Sequence, residues 1–326
     1  MTVRMILGGL CLFALGLMGA MASAAGPSHA VYRTTDRGRS WSRADEGLPG
    51  QARINAFAAI GGAVLTGTDA GVFVSVDEGR RWQAASGVAS TSGRILSLAT
   101  AGDRVYAGTD RSGVLVSVDQ GQTWSRSAGF PAPYVRSLLG DGAAIYAGTD
   151  KQGVYSSEDG GVSWVGMSDG LPADGQIFTM TKVKGTLFAG LYAKGLWSFQ
   201  EGLRRWVRVG EVVPLVLAPA GGTLIVGHNP GGLLWSADLG RTWGQGRAAG
   251  AVAAGGAGEL TQDAPVWEAG AGDGIVYAGA AEGIYYSEDE GRSWTRARGG
   301  LPAVSSGIAF LGGGGFALAG VVVRGE

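Results

Sequence analysis

From about residue 30 to the end, short apolar runs alternate with glycine-rich polar turns. No stretch repeats its apolar residues at the 3.6-residue spacing of an amphipathic helix. The pattern is clearest in residues 94–127. RILSLAT reads as a strand, AGD as a turn, RVYAGT as a second strand and GVLVSVD as a third, and a polar turn then leads into TWSRSAG. Four such antiparallel strands predict one compact sheet with an inner, two middle and an outer strand. The second strand recurs as AVLTGT, AIYAGT, TLFAGL, TLIVGH, IVYAGA and FALAGV, always with glycine in fifth place. A glycine inside a strand predicts close approach of a neighbouring backbone or a bend.

The polar turn between third and fourth strands is the strongest repeat. In GIYYSEDEGRSW, residues 283–294, Asp289 is placed to fold its carboxylate onto backbone N–H groups. Gly291 supplies a positive φ, Ser293 ties the far end, and Trp294 buries its indole beside the turn. Copies end at Trp41, Trp82, Trp124, Trp164, Trp206, Trp243 and Trp294, with spacings of 41, 42, 40, 42, 37 and 51 residues. A period near 40 residues with several short strands per unit is that of a propeller blade. Residues 30–44 supply a third and fourth strand, and residues 306–323 supply a first and second. The expected fold is therefore all-β: a seven-bladed β-propeller of four-stranded antiparallel blades, its terminal blade closed by strands from both chain ends. The motif GLP or FP after an outer strand (at Pro49, Pro131, Pro172 and Pro302) marks the crossing to the next blade. The fifth copy places Phe199, Glu201 and Leu203 where serine, aspartate and glycine stand elsewhere, so its turn must differ.

The pattern S-x-D-x-G-x-[ST]-W is identified as the Asp-box, or BNR, repeat. From residue 30 onward the chain resembles the seven-bladed Asp-box propellers of the photosystem II stability/assembly factor family. Asp36, Asp77, Asp119, Asp159, Asp238 and Asp289 are read as structural, because a catalytic group is needed once and a turn brace in every blade. Sialidases, xyloglucanases and sortilin-type receptors also carry Asp boxes. A sialidase needs an arginine triad opening with R-I-P, but here Arg53-Ile54 is followed by Asn55 and Arg94-Ile95 by Leu96. A xyloglucanase cleft lies between two propellers, and the chain is long enough for one. Histidine is limited to His29 and His228, and Cys11 is the sole cysteine. No transition-metal ligand spacing and no phosphate or dinucleotide fingerprint occurs, so no catalytic residue, metal or cofactor is expected. The resemblance implies a non-catalytic protein-binding scaffold or assembly factor for a membrane-protein complex. Its alternatives are a glycoside hydrolase of sialidase or xyloglucanase type and an extracytoplasmic receptor or sensor.

The amino end adds a compartment. Arg4, the apolar run 5–21 and Ala22-Ser23-Ala24 form a secretory signal cut after Ala24, with an uncleaved membrane anchor as the rival reading. Residues 25–326 then form the propeller, in the periplasm or a thylakoid lumen. Without Arg4 the chain carries 25 basic against 27 acidic side chains, which gives no global attraction to nucleic acid or anionic membrane. The expected partner is a membrane-protein subunit or assembly intermediate, met by a monomer. Residues 248–264, small and glycine-rich, are read as an inserted loop.

Two surface columns remain. Aligned at the start of the inner strands, Arg53, Asn55, Arg94, Tyr134, Arg136, Gln176, Trp267 and Glu268 converge on the propeller axis and form the candidate partner-binding set. After the turn glycine, Arg39, Arg80, Arg204, Arg241 and Arg292 form a secondary basic rim, with no recurrent aromatic residue beside them.

Overall fold

The computed structural model describes residues 28–88, 93–229, 231–248, 265–302 and 305–323. The expected signal, and the inserted loop beyond residue 248, lie outside these residues. Seven sheets of four antiparallel strands, that of blade 6 extended by a short fifth strand in parallel, follow one another around a ring. Blade 1 holds Ile54–Ile60, Ala63–Thr68, Gly71–Ser75 and Gln83–Ala84. The inner strands of blades 2 to 6 are Ile95–Ala101, Val135–Asp141, Ile177–Val183, Val213–Ala220 and Val266–Gly272. In blade 7, Ser305–Gly313 and Phe316–Val323 are continued by Ser28–Thr34 and Ser42–Arg43 from the other chain end. Seven residue pairs, from Ser28↔Val323 to Thr34↔Ala317, join the ends and leave no open sheet between them.

The repeated turns are held by one set of bonds. Ser287 Oγ donates to Asp289 Oδ1 at 2.8 Å and accepts the Gly291 N–H at 2.9 Å. Asp289 Oδ1 accepts the Ser293 N–H at 2.8 Å, and Oδ2 accepts its hydroxyl at 2.6 Å. The same four bonds recur around Asp36, Asp119, Asp159 and Asp238. At Asp77 the hydroxyl bond is missing, because Arg81 stands in its place. Both central residues of each turn are left-handed. Gly291 has φ 85°, and Glu290 before it has φ 58°. The indole N–H of Trp41, Trp124 and Trp294 donates to the glycine carbonyl of its own turn, whereas Trp82 and Trp206 reach back to the carbonyls of Ala44 and Met167 in the preceding blade.

In blade 4 the missing serine, aspartate and glycine give a different hairpin. Glu201–Leu203 forms one 3-10 turn and Arg204 closes it at φ 49°. Its strands Gly195–Gln200 and Arg205–Gly210 run six residues each, whereas the outer strands of blades 1, 2, 3, 5 and 7 are two residues long.

The glycine in fifth place of each second strand sits against the next blade. A Cβ on Gly67 would lie 2.5 Å from Ile95, on Gly148 2.4 Å from Ile177, and on Gly320 2.6 Å from Ile54, which closes the ring. Apolar clusters fill the gaps between blades: Leu65 and Val74 of blade 1 meet Ile95 and Val105 of blade 2. Each such side chain contributes roughly 1.5–3 kcal/mol on burial. The rim is stitched by the linkers: Trp41 N–H donates to Gly299 O (2.8 Å), Trp82 to Glu46 O (2.9 Å) and Trp206 to Asp169 O (2.8 Å). Gly47 and Gly170 of the GLP motifs press on the carbonyls of Trp82 and Trp206, so that motif fits the next blade's outer strand.

Candidate functional site

Every inner strand carries a bulge near the start of its ladder, between Ile54 and Ala56 in blade 1 and at the aligned place in the other six. The unpaired residues are Asn55, Leu96, Arg136, Phe178, Leu215, Trp267 and Ile308. A bulge bends its strand and re-aims the extra side chain. These seven positions therefore ring the axis on the face where the inner strands begin. The repeated turns and their arginines lie on the opposite face.

Contacts between blades organise this ring. Asn55 Nδ2 donates to Ile95 O at 2.8 Å. The Arg136 guanidinium lies 3.6 Å from the ring centroid of Phe178, which stacks on Tyr192 at 5.2 Å. Such a cation over an aromatic face is stabilised by the ring quadrupole. Arg94 pairs with Asp110 at 2.8 Å. Gln176 is committed to Asp150 (Nε2 to Oδ1, 2.6 Å), and Asp69 accepts the Arg53 N–H at 2.8 Å. Trp267 is 37% exposed.

The electrostatics tie the same residues together. Burial lowers the pKa of Arg53, and the nearby charges of Arg136 and Arg94 lower it further. Hydrogen bonding to Asp110 raises that of Arg94. Glu268 is pushed up to about 8 by burial, with the Ala269 N–H and Arg136 pulling the other way. At neutral pH this carboxyl is largely protonated, and Arg53 and Arg136 are not neutralised by an ion pair among the described residues. The mouth thus offers positive charge next to flat aromatic area. That combination suits a peptide carrying carboxylates and apolar side chains.

Sequence reasoning brought Arg53, Asn55, Arg94, Tyr134, Arg136, Gln176, Trp267 and Glu268 to one face. Phe178 aligns in the same column but stands outside that set, as do Tyr192, on which it stacks beneath Arg136, and Asp69, Asp110 and Asp150. The signal for these carboxylates was the triplet Gly-Thr-Asp closing the second strands of blades 1, 2 and 3.

On the opposite face Arg39 and Arg37 each lie 3.5 Å from Glu288, Arg80 lies 3.3 Å from Glu78, and Arg292 lies 3.4 Å from Glu290. Arg204 and Arg241 are exposed. The basic arc is thus interleaved with acid. Arg292 also has an aromatic neighbour, since its guanidinium lies 5.0 Å from the Trp235 ring. Arg39, Asp36, Asp273 and Tyr277 help to line a cavity of about 420 Å³ between blades 6 and 7. Among the described residues no group of three or more His, Cys, Asp or Glu is placed to hold a metal ion.

Fold and site together define a seven-bladed β-propeller with a polar and aromatic axial mouth. The chain belongs to the DUF6242 beta propeller family, whose domain it matches over residues 62–249. No curated protein sequence matches the chain. Among solved structures it is similar to YCF48 from Cyanidioschyzon merolae, at 16% identity and a TM-score of 0.63, covering 83% of this chain and 96% of that one. YCF48 bound to a D1 peptide is similar at 17% identity and a TM-score of 0.62, with 86% and 94% covered. The GH74 xyloglucanase from Xanthomonas campestris matches at 17% identity and a TM-score of 0.60, covering 86% of this chain but 56% of the enzyme. At these identities the likeness is one of fold.

Proposed function

We propose that this protein is a non-catalytic protein-binding scaffold, an assembly factor that holds a membrane-protein subunit or its precursor. It acts outside the cytoplasm, after export by residues 1–24, in the periplasm or a thylakoid lumen. Its repeated turns are Asp boxes, and its kinship is with the photosystem II assembly factors. The observation that carries this reading is the axial mouth, where the charges of Arg94 and Arg136 act on Arg53, Arg136 lies on the Phe178 ring, and Trp267 stands exposed at the equivalent bulge of blade 6. The peptide-bound YCF48 structure supports it, as a similar propeller that takes a protein segment.

The test is affinity purification from solubilised membranes, followed by affinity measurement on the partner recovered. Arginine and large aromatics dominate interface energetics, and truncating a hot spot costs at least about 2 kcal/mol. Arg94→Ala with Trp267→Ala is expected to weaken binding at least ~30-fold, at ~1.4 kcal/mol per tenfold. Arg241→Ala with Arg292→Ala should change it less than ~5-fold, because exposed charges mostly tune on-rate and salt dependence. A damaging rim pair with unchanged thermal stability would move the binding face to the opposite side. A second reading rests on Glu268, whose raised pKa suits a general acid, and on the fold shared with a xyloglucanase. Turnover of fluorogenic sialosides or β-glucans that Glu268→Gln abolishes would establish that reading instead.

A further inference from the structure

Blade 4 is the odd member of the ring, and its oddity lies on its outer edge. The outer strands of the other blades are short, and incoming chain covers several of them. Gly299 bridges to Ser40, Glu46 to Arg81 and Ser86 to Thr123, all in parallel. On blade 6 the cover is a strand in its own right: Arg247–Ala248 pairs in parallel with Ser293 and Trp294. The molecule itself therefore shows an outer strand accepting one more.

On blade 4 the incoming linker supplies one bond, from the Trp206 N–H to Asp169 O. The strand then runs on to Gly210. Trp206 turns its N–H outward, so by the alternation of an antiparallel ladder Arg208 turns its N–H and C=O the same way. Among the described residues neither group has a backbone partner. The flanking side chains are Leu203, 67% exposed, and Val207, 42% exposed. Arg204 is exposed, and Arg205 is held only by a 4.0 Å contact with Asp169. Arg208 pairs with the exposed Glu211 at 2.8 Å. An edge with free backbone groups, exposed apolar side chains and three arginines is matched by an extended segment that alternates carboxylates with β-branched residues.

We propose that residues 207–210 of blade 4 are a strand-addition site for an extended acidic segment of a partner protein. This surface is separate from the axial mouth, and its test does not depend on that reading. The probe is a fluorescent octapeptide alternating glutamate with valine and threonine, beside its lysine-for-glutamate counterpart, on the full chain. Anisotropy gives the affinity, and amide hydrogen exchange locates the contact. The acidic peptide is expected to bind, to slow exchange in residues 205–210, and to outcompete the basic one.

Arg208→Pro removes an outward N–H that the hairpin does not use. It should weaken binding about tenfold, whereas Arg208→Ala, which keeps the N–H, should cost about threefold. The charge reversal Arg204→Glu with Arg205→Glu, at exposed positions, should also abolish binding if the proline variant unfolds. No binding up to millimolar peptide, equal affinity of a folded Arg208→Pro variant, or protection at the axial mouth that is lost in Arg94→Ala with Trp267→Ala would each overturn the proposal.

Discussion

Glu268 pays a desolvation cost that its neighbours only partly offset, because the Ala269 N–H and Arg136 stabilise its charged form less than burial destabilises it. An unfolded glutamate titrates near 4.5, whereas the folded one titrates near 8. Below 4.5 both states hold the proton, and the residue is neutral for stability. As pH rises from 4.5 to 8 the unfolded chain releases its proton first, so folding weakens across that window. Glu268→Gln is therefore expected to raise the melting temperature at pH 8 and to leave it unchanged at pH 4. The gain should be of order 1–2 kcal/mol, well below the full shift because Glu268 is only partly shielded from solvent. Equal effects at both pH values in thermal melts would show that Glu268 is not held in its neutral form. The charge of Arg136, held on the Phe178 ring, acts on this carboxyl, so loss of the proton lowers the positive charge of the mouth by one.

At the scale of the hairpin, the turn carboxylates behave in the opposite sense. The hydrogen bonds from the Thr123 side chain and backbone hold Asp119 down to about 2, against an ordinary value of 3.8. Its contribution is fully present above about pH 4 and lost as pH falls to about 2. Asp119→Asn should cost about 1 kcal/mol at pH 7, since solvent screens the turn, and should flatten the acid limb of the stability curve in chemical denaturation between pH 4 and 2. These hairpins were readable from sequence, because Ser, Asp, Gly and Trp each have one task at a fixed offset. The left-handed residue before the glycine was not, since Arg37, Glu78, Gln120, Leu239 and Glu290 share no chemistry and are forced to φ near 60° by the bonds around them. The inner-strand bulges were hidden for a similar reason. Asn55, Arg136 and Trp267 could be aligned into a column, but the slip of register that turns them to the axis is a property of two paired strands. In blade 4 the replaced residues showed that the turn would differ, but not that its hairpin would lengthen into a free edge.

The whole ring depends on one seam that no peptide bond spans. Six blades are continuous hairpins, but blade 7 is held together by the ladder between Ser28–Thr34 and Phe316–Val323. Ala319 and Ala147 occupy the same place in their second strands, and both are fully buried. Ala319 pairs with Tyr32 from the far end of the chain, whereas Ala147 pairs with Tyr155 a few residues on. Proline at either site removes a ladder hydrogen bond and crowds a packed strand, at a cost of at least about 2 kcal/mol. The consequences should diverge. In Ala147→Pro the flanking strands are tethered by short turns and re-form around the defect. In Ala319→Pro the two ends separate, and rejoining them means closing a loop of nearly the whole chain, which carries the larger entropic cost. Ala319→Pro should therefore melt at the lower temperature and exchange amide hydrogens fast throughout residues 28–34 and 305–323. Its Gly320 contact on Ile54 would open with them, exposing blade 1 as well. Ala147→Pro should confine fast exchange to blade 3. Matching melting temperatures and equally local exchange in the two variants would mean that the ring is closed by packing between blades rather than by the ladder joining its ends.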